Sequence, residues 1–384
     1  MNDSINIHDM QAFFQNFSGE DPGGKIRAMP QKRKTAIHIR CIYIDFNGGL
    51  AENFARKCVE IGLALSGCCA ILKKQAQEGG LRYFCVFTDL GCEYMQFEAD
   101  GKTNGPGIRW PGGARVAVML TFDFDAEFLR ISRAESKGTK IGFTDQSRGE
   151  YGPHTGLARC LQVLEDHGVK GTFFVPGAVV ERYPEQVKRI HAAGHELAAH
   201  GYLHESRRGI SEEEEQAILE KSEALLESVT GKKPVGHRGP ESIIHPFTPK
   251  LLRQRGYLYS SSMKDRDWAY LWPQDETGRA LVELPGDVML DDFTYYYFTF
   301  SDPAVRSMYP NRQVLADWCA ELDALAAEGD KILVLKLHPQ MIGRSSRAAM
   351  LGDFIAHAKS RGAWIATCEE VARYVLEWEG GDVQ

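Results

Sequence analysis

Four stretches of this sequence carry side chains able to do chemistry, and each stands at the end of an apolar run. "AVMLTFDFD" closes on Asp123 and Asp125, "HELAAHGYLHE" on His200 and His204, "PVGHRGP" carries His237 and Arg238, and "ILVLKLHPQ" reaches His338. Histidines at i and i+4 point the same way where the backbone is helical or turn-like, and a divalent metal needs such convergent ligands. An i,i+4 pair also arises by chance in a chain with twelve histidines. A single polar residue at a strand end is most simply a helix cap or a solvated group. Four such strand ends together argue for convergence, because an α/β barrel gathers its catalytic groups at the carboxyl ends of its strands. On an ideal strand Asp123 and Asp125 share a face, which suits two groups serving one water.

The elements that must position these groups are βα units. From Ala114 onward "RVAVMLTFDFD", "VKGTFFVPG", "KILVLKLH" and "AWIAT" read as strands. Between them "GLARCLQVLEDHG", "PEQVKRIHAAG", "SEEEEQAILEKSEALLESVTG" and "RAAMLGDFIAHAKSRG" read as helices. Pro184 opens one of these and Gly194 closes it, and Ser211 with Glu214 forms a capping box on another. Repeated βα units over this length predict an α/β barrel or a doubly wound sheet. No internal sequence repeat is present.

The first hundred residues follow another pattern. Residues 1–34, with "SGEDPGGKIRAMPQKRK", read as a flexible arm. Residues 35–105 read as a small β-α-β-β unit. Its strands are "AIHIRCIYIDF", "LRYFCVFTDL" and "CEYMQFEA", its helix is "LAENFARKCVEIGLALSGCCAILKKQAQ", and "DFNGG" is a glycine turn between strand and helix. "GKTNGPGIRWPGG" reads as the linker to a catalytic domain spanning residues 106–384.

Composition excludes some classes of function. The chain has 384 residues, 43% hydrophobic and 25% charged, which is ordinary globular usage. A formal net charge of -7 argues against a nucleic-acid binder built on a broad basic surface. No apolar run approaches a membrane span, and "MNDSINIHDMQAFFQ" lacks the basic and apolar regions of an export signal, so the expected location is cytoplasmic. The nine cysteines are odd in number, include no CxxC pair, and read as reduced buried thiols.

"TFDFD", "HGYLHE", "GHRGP" and "LHPQMIGRSSR", in this order and spacing, resemble the successive motifs of the polysaccharide deacetylase (NodB-homology) family. The stretches "WPGGARVAVMLTFDFDAE" and "GTFFVPGAVVERYPEQVKRIHAAGHELAAHGYLHE" resemble the branch that includes peptidoglycan-deacetylase-like enzymes, cyclic-imide hydrolases and metal-independent allantoinases. The resemblance runs from about Arg109 to near the C-terminus and leaves the N-terminal unit unassigned. It implies an α/β fold, a distorted (β/α) barrel with fewer than eight regular strands. It further implies a divalent metal, zinc first with cobalt, manganese or iron as alternatives, on Asp125, His200 and His204. By the same resemblance Asp123 is the general base, Arg238 the residue that holds it, and His338 the general acid. Family members commonly have adjacent aspartates where this chain has Asp-Phe-Asp. Asp291 or Asp292 in "MLDDFTYYYF" is expected to orient His338, while His195, His237 and Glu127 are expected to support the site rather than act in it.

The implied reaction is hydrolysis of a non-peptide amide C–N bond, with water activated by metal and aspartate and the leaving nitrogen protonated by histidine. N-acetylated sugars are the first substrate class, and a small cyclic amide (imide, hydantoin or ureide) is the alternative. A non-catalytic binding protein on the same scaffold would be expected to lack base, ligand or acid, and all are present. The expected partners are a saccharide or small-molecule substrate, with neither nucleic acid nor membrane. The N-terminal unit is left open as a lid, a homo-oligomer contact or a ligand sensor.

Overall fold

A computed structural model of the chain describes residues 46–47, 69–77, 80–88, 107–205, 209–298 and 307–380. The chain divides into two compact units, Met1–Gln96 and Phe97–Gln384. In the first, β1 (Phe46–Asn47), β2 (Cys69–Gln77) and β3 (Gly80–Thr88) form an antiparallel sheet in the order β1-β3-β2. The β2–β3 register runs from Cys69↔Thr88 to Gln77↔Gly80. This corrects two expectations. "CAILKKQAQ" is a strand, not the end of a helix, and Asn47 pairs with Arg82 instead of forming a turn, while Phe46, the last residue of the expected first strand, pairs with Tyr83. Nine residues with i,i+3 apolar spacing do not separate a helix from a half-buried strand. The neighbouring β3, rich in aromatic and β-branched residues, offers a full ladder of partners. The expected arm, the first strand up to residue 45, the helix from residue 50 to 68 and the strand at residues 92–99 lie outside the described residues.

The second unit is built on a nine-stranded sheet. Its strands are β4 (Val116–Asp123), β5 (Thr172–Val175), β6 (Glu196–Ala199), β7 (Gly236–His237), β8 (Tyr259–Ser260), β9 (Tyr270–Leu271), β10 (Val282–Glu283), β11 (Lys331–Leu337) and β12 (Trp364–Ile365). The order is β11-β4-β5-β6-β7-β8-β10-β9, with β12 attached to β4. All pairings are parallel except β9 with β10. One edge of β4 is shared: β12 takes Ala117 and Val118, and β5 takes Thr121 to Asp123. Only four of the strands exceed two residues, as expected of a distorted barrel. Among the described residues no ladder joins β9 or β10 to the free edge of β11. Single contacts stand there instead, a parallel bridge Asp291↔Lys336 and the Ile332 amide donating to Asp267 O at 2.9 Å. The sheet is therefore a curled half-barrel with a seam beside β11.

Every residue of β4 is buried, yet its two faces differ in chemistry. Val116, Val118, Leu120 and Phe122 join an apolar cluster with Leu164, Val187, Leu219, Trp318 and Phe354 from the surrounding helices. Ala117 and Met119 join a second cluster on the concave side, with Phe174, Ala198, Tyr259, Ile332 and Val334. Period-two alternation then carries the concave face of β4 through Thr121 to Asp123 and Asp125. The same count gives Glu196, Ala198 and His200 along β6, and Ile332, Val334, Lys336 and His338 along β11. At the amino-terminal end this interior is closed by Trp110 and by Val371, Ala372 and Val375 of the C-terminal helix Cys368–Gly380. Glu196, at this end, is satisfied within the protein: it accepts from Tyr259 Oη at 2.6 Å, Thr172 Oγ1 at 2.7 Å and the Glu369 amide at 2.9 Å. At the opposite end neither oxygen of Asp125 is satisfied in this way.

Candidate active site

Asp125 and His200 stand just beyond the ends of β4 and β6, and His204 lies on the turn that follows. That turn is "HGYLHE", and it is not helical. Gly201 has φ 70° and His204 φ 57°, so the chain reverses twice through left-handed backbone. Such a conformation costs a non-glycine residue roughly 1–3 kcal/mol and persists only where its surroundings hold it. Glu205 holds it here, accepting from the Tyr202 amide at 3.1 Å and the Leu203 amide at 2.8 Å. The Gly177 and Ala178 amides donate to Gly201 O and Tyr202 O, both at 3.0 Å. Ser222 Oγ donates to Gly201 O at 2.8 Å.

The result brings one ligand atom from each of Asp125, His200 and His204 within 4.8 Å of the others. Asp125 Oδ1 lies 3.4 Å from His200 Nε2, and Asp125 Oδ2 lies 3.9 Å from His204 Nε2. All three side chains are buried. His200 Nδ1 is 2.8 Å from Arg238 O. A carbonyl can only accept, so Nδ1 carries the hydrogen and the lone pair sits on Nε2, facing Asp125. Neither oxygen of Asp125, nor His200 Nε2, has a hydrogen-bond partner. Burial of such groups without partners costs several kcal/mol. Burial, and then repulsion from Asp123, push the Asp125 carboxyl up to about 7 despite the attraction of His338. Burial likewise pulls His200 down to about 4 and His204 well below its ordinary value, leaving both imidazoles neutral at pH 7. Two neutral imidazoles and a carboxylate with unshared lone pairs turned together fit a divalent cation.

Asp123 lies one step deeper on the same face. Arg238 Nη1 donates to Asp123 Oδ1 at 2.7 Å and to Thr121 Oγ1 at 3.0 Å. The guanidinium is itself fixed by Ser261, through Nε to the carbonyl at 3.0 Å and Nη2 to Oγ at 2.9 Å, and it lies over the Phe174 ring. Gly236, two residues before Arg238, leaves room for Tyr259, since a Cβ there would stand 2.0 Å from the Tyr259 ring. Burial raises the Asp123 pKa, but Arg238, Lys336, His200 and His338 outweigh it and hold the carboxyl well below its ordinary value. Breaking a buried pair of this kind costs about 3–5 kcal/mol.

His338 approaches from β11. Its Nε2 is 4.0 Å from Asp123 Oδ2 and 3.7 Å from Asp125 Oδ2. Asp292 grips it twice, accepting from the backbone amide at 2.9 Å and from Nδ1 at 2.7 Å. Asp291 is 3.7 Å from Nδ1 and instead caps the Phe293 amide at 2.9 Å, so of the two aspartates Asp292 orients the ring. Burial works against the charged imidazole, yet Asp292 and then Asp291 and Asp125 raise His338 to about 9.

The structure brings together all six residues singled out for the site. It also adds Lys336, whose Nζ is 3.4 Å from Asp123 Oδ2 and 3.2 Å from Asp291 Oδ2. A signal for it existed, because a lysine two residues before His338 within an apolar strand must share its face. The three other residues near the motifs sit apart. His195 accepts from the Gly171 amide at 3.2 Å at the start of β6, and His237 faces outward against Tyr257. Glu127 accepts from Tyr183 Oη at 2.9 Å and pairs with Arg182 at 2.6 Å.

The curled half-barrel sheet that carries these groups at its strand ends is the fold of NodB-type deacetylases. Residues 150–260 match the family model described as polysaccharide deacetylase. A solved structure, a putative polysaccharide deacetylase from Mycobacterium smegmatis, is 38% identical with a TM-score of 0.66, and the match covers 72% of this chain and 96% of that one. A peptidoglycan deacetylase-like protein of Gibberella zeae is 29% identical over 68% of this chain and 87% of its own length. The peptidoglycan deacetylase of Helicobacter pylori is 28% identical over 59% and 86%. The chain belongs to the polysaccharide deacetylase family, hydrolases acting on C–N bonds other than peptide bonds. The matched model spans His200, His204 and Arg238, while Asp123, Asp125 and His338 join them through the fold. No helix among the described residues is long and apolar enough to cross a membrane.

Proposed function

We propose that this chain is a metal-dependent N-deacetylase of N-acetylated amino sugars, with Asp125, His200 and His204 as metal ligands, Asp123 as general base, Arg238 as its holder and His338 as general acid. The observation that carries this reading is a carboxylate held by a guanidinium facing, across one small space, an imidazole held by a second carboxylate. Asp123 is kept ionised by Arg238, and His338 is kept protonated by Asp292, with His338 Nε2 4.0 Å from Asp123. Environments that push two titratable groups apart in this way assign base and acid. A divalent cation in a three-ligand cradle supplies Lewis acidity, acidifying water and polarising a carbonyl. Asp123 Oδ1 accepts from Arg238, so Oδ2, with Lys336 Nζ 3.4 Å to one side, is the oxygen that accepts the proton water loses as it adds to the acyl carbon. His338 Nε2 then gives its proton to the amide nitrogen as the C–N bond breaks. The products are acetate and the free amine. Positioned acid–base groups of this kind contribute roughly a hundred- to ten-thousand-fold each.

The names of the relatives from Gibberella zeae and Helicobacter pylori support a peptidoglycan-type saccharide as substrate. The test is acetate release from purified peptidoglycan and from an N-acetylglucosamine tetramer, with metal content measured on the same protein. Zinc is the metal expected first. Release of acetate that tracks bound metal supports the reading. A metal-loaded protein that opens cyclic imides or ureides but releases no acetate replaces the substrate class, since the same groups serve that reaction.

A further inference from the structure

Lys336 occupies the concave face of β11, two residues before His338, and its ammonium meets three side chains. Asp123 Oδ2 is 3.4 Å away, Asp291 Oδ2 is 3.2 Å away, and Nζ donates to Ser242 Oγ at 3.5 Å. Arg238 meanwhile holds the other oxygen of Asp123, Oδ1, at 2.7 Å. Each oxygen of one buried carboxylate therefore has its own cation. Burial lowers a lysine pKa, but Asp291 and Asp123 outweigh it and raise that of Lys336, so the group is charged. The backbone fixes its place as well, through the parallel bridge between Asp291 and Lys336. Ser242, the third partner, has φ 56°, a left-handed conformation in the loop after Pro240. Lys336 also lines a shallow cleft, together with Arg238, Asp291, Ser242 and Val334.

An aspartate clamped at one oxygen is still poorly aimed, because its terminal torsion is broad and roughly two-fold. A general base must bring its accepting oxygen within hydrogen-bond reach of the proton, and an error of about 1 Å can cost about a hundredfold. We propose that Lys336 is a positioning residue for the reaction: anchored on Asp291, its ammonium fixes Oδ2 of Asp123 while Arg238 fixes Oδ1, so the carboxylate plane stays turned toward the substrate. This rests on the reading of Asp123 as the base. The same two-residue segment, Asp291–Asp292, thus serves both arms of the site, holding the lysine beside the base with one carboxylate and the acid His338 with the next.

The experiment uses the full-length, metal-loaded chain with the N-acetylglucosamine tetramer as substrate, and compares Lys336→Ala, Asp291→Asn and Asp123→Asn. Lys336→Ala is expected to keep its metal and KM while kcat falls by about a hundredfold. Methylammonium, taking up the space that the deleted side chain leaves, is expected to restore kcat saturably. Tetramethylammonium, which has no N–H to donate, is not. A role in folding alone would lower the melting temperature and would not respond to the added amine. Wild-type kcat in Lys336→Ala, a loss confined to KM, or no response to methylammonium overturns the proposal. Should Lys336→Ala fail to fold, Asp291→Asn keeps the lysine but releases its anchor. A fall in kcat at constant KM supports the proposal there, and an unchanged kcat refutes it. An active Asp123→Asn removes the base assignment, and a wild type that releases no acetate removes the functional reading; either takes the role of Lys336 with it.

Discussion

Replacing Asp292 with asparagine tests the acid arm of the site through a shift large enough to measure. His338 is buried, and Asp292 is the largest of the charges that raise it from 6.5 to about 9. A displacement of that size corresponds to about 3 kcal/mol of preference for the charged ring. The asparagine side chain would keep an acceptor 2.7 Å from Nδ1 but remove the negative charge, leaving burial as the dominant influence. The pKa of His338 in the variant is therefore expected to fall well below that of the wild type. A general acid must be protonated, so wild-type kcat/KM should persist until pH rises through the His338 pKa and then decline. In Asp292→Asn that decline should begin at correspondingly lower pH. A cation on Asp125, His200 and His204 lowers the His338 pKa in both proteins, so the difference between the two profiles carries the prediction. Stability supplies a second readout with a defined sign. A histidine raised in the folded state stabilises it fully below pH 6.5 and loses that contribution as pH rises through about 9. The gap in urea midpoint between wild type and variant should narrow over that window. A basic limb that stays in place, with turnover and metal content unchanged, would refute the assignment of His338 as the acid held by Asp292.

Three further outcomes follow from the same geometry. Asp123→Asn should retain its metal while turnover falls by roughly a hundred- to ten-thousand-fold; loss of the metal instead would mean that the roles of Asp123 and Asp125 are exchanged. His204→Ala should lose both metal and activity, as measured by elemental analysis and acetate release, and a metal-free variant with full turnover would end the metal mechanism. A chain starting near Gly105 should fold and bind metal, because both apolar clusters of the second unit draw on residues from Ile108 onward among the described residues. Insolubility, or absence of metal, in that shortened chain would place the domain boundary elsewhere.

Local periodicity carried much of this protein in its sequence. The apolar run ending in Asp123 and Asp125 declares a buried strand whose two carboxylates share a face, because side-chain direction along a strand depends only on parity. His200 and His204 announce a convergent pair for a similar reason, although the backbone that joins them is a left-handed turn held by Glu205 and not a helix. Parity would also have exposed Lys336, two residues from His338. Tertiary structure alone decided the matters of partner choice. Asp291 and Asp292 are chemically identical neighbours, and which one meets His338 depends on where the chain leaves an extended conformation, at Asp291 with φ −120° and ψ 118°, to begin the helix Asp292–Tyr296. Whether "CAILKKQAQ" is helix or strand turned on the presence of β3 alongside it. The clamp on Asp123 joins side chains 115 residues apart in the chain, Arg238 and Asp123. That pairing follows from the order of the parallel strands around the half-barrel, because a residue's type and spacing set which way it points, while only the packed sheet sets what it points at.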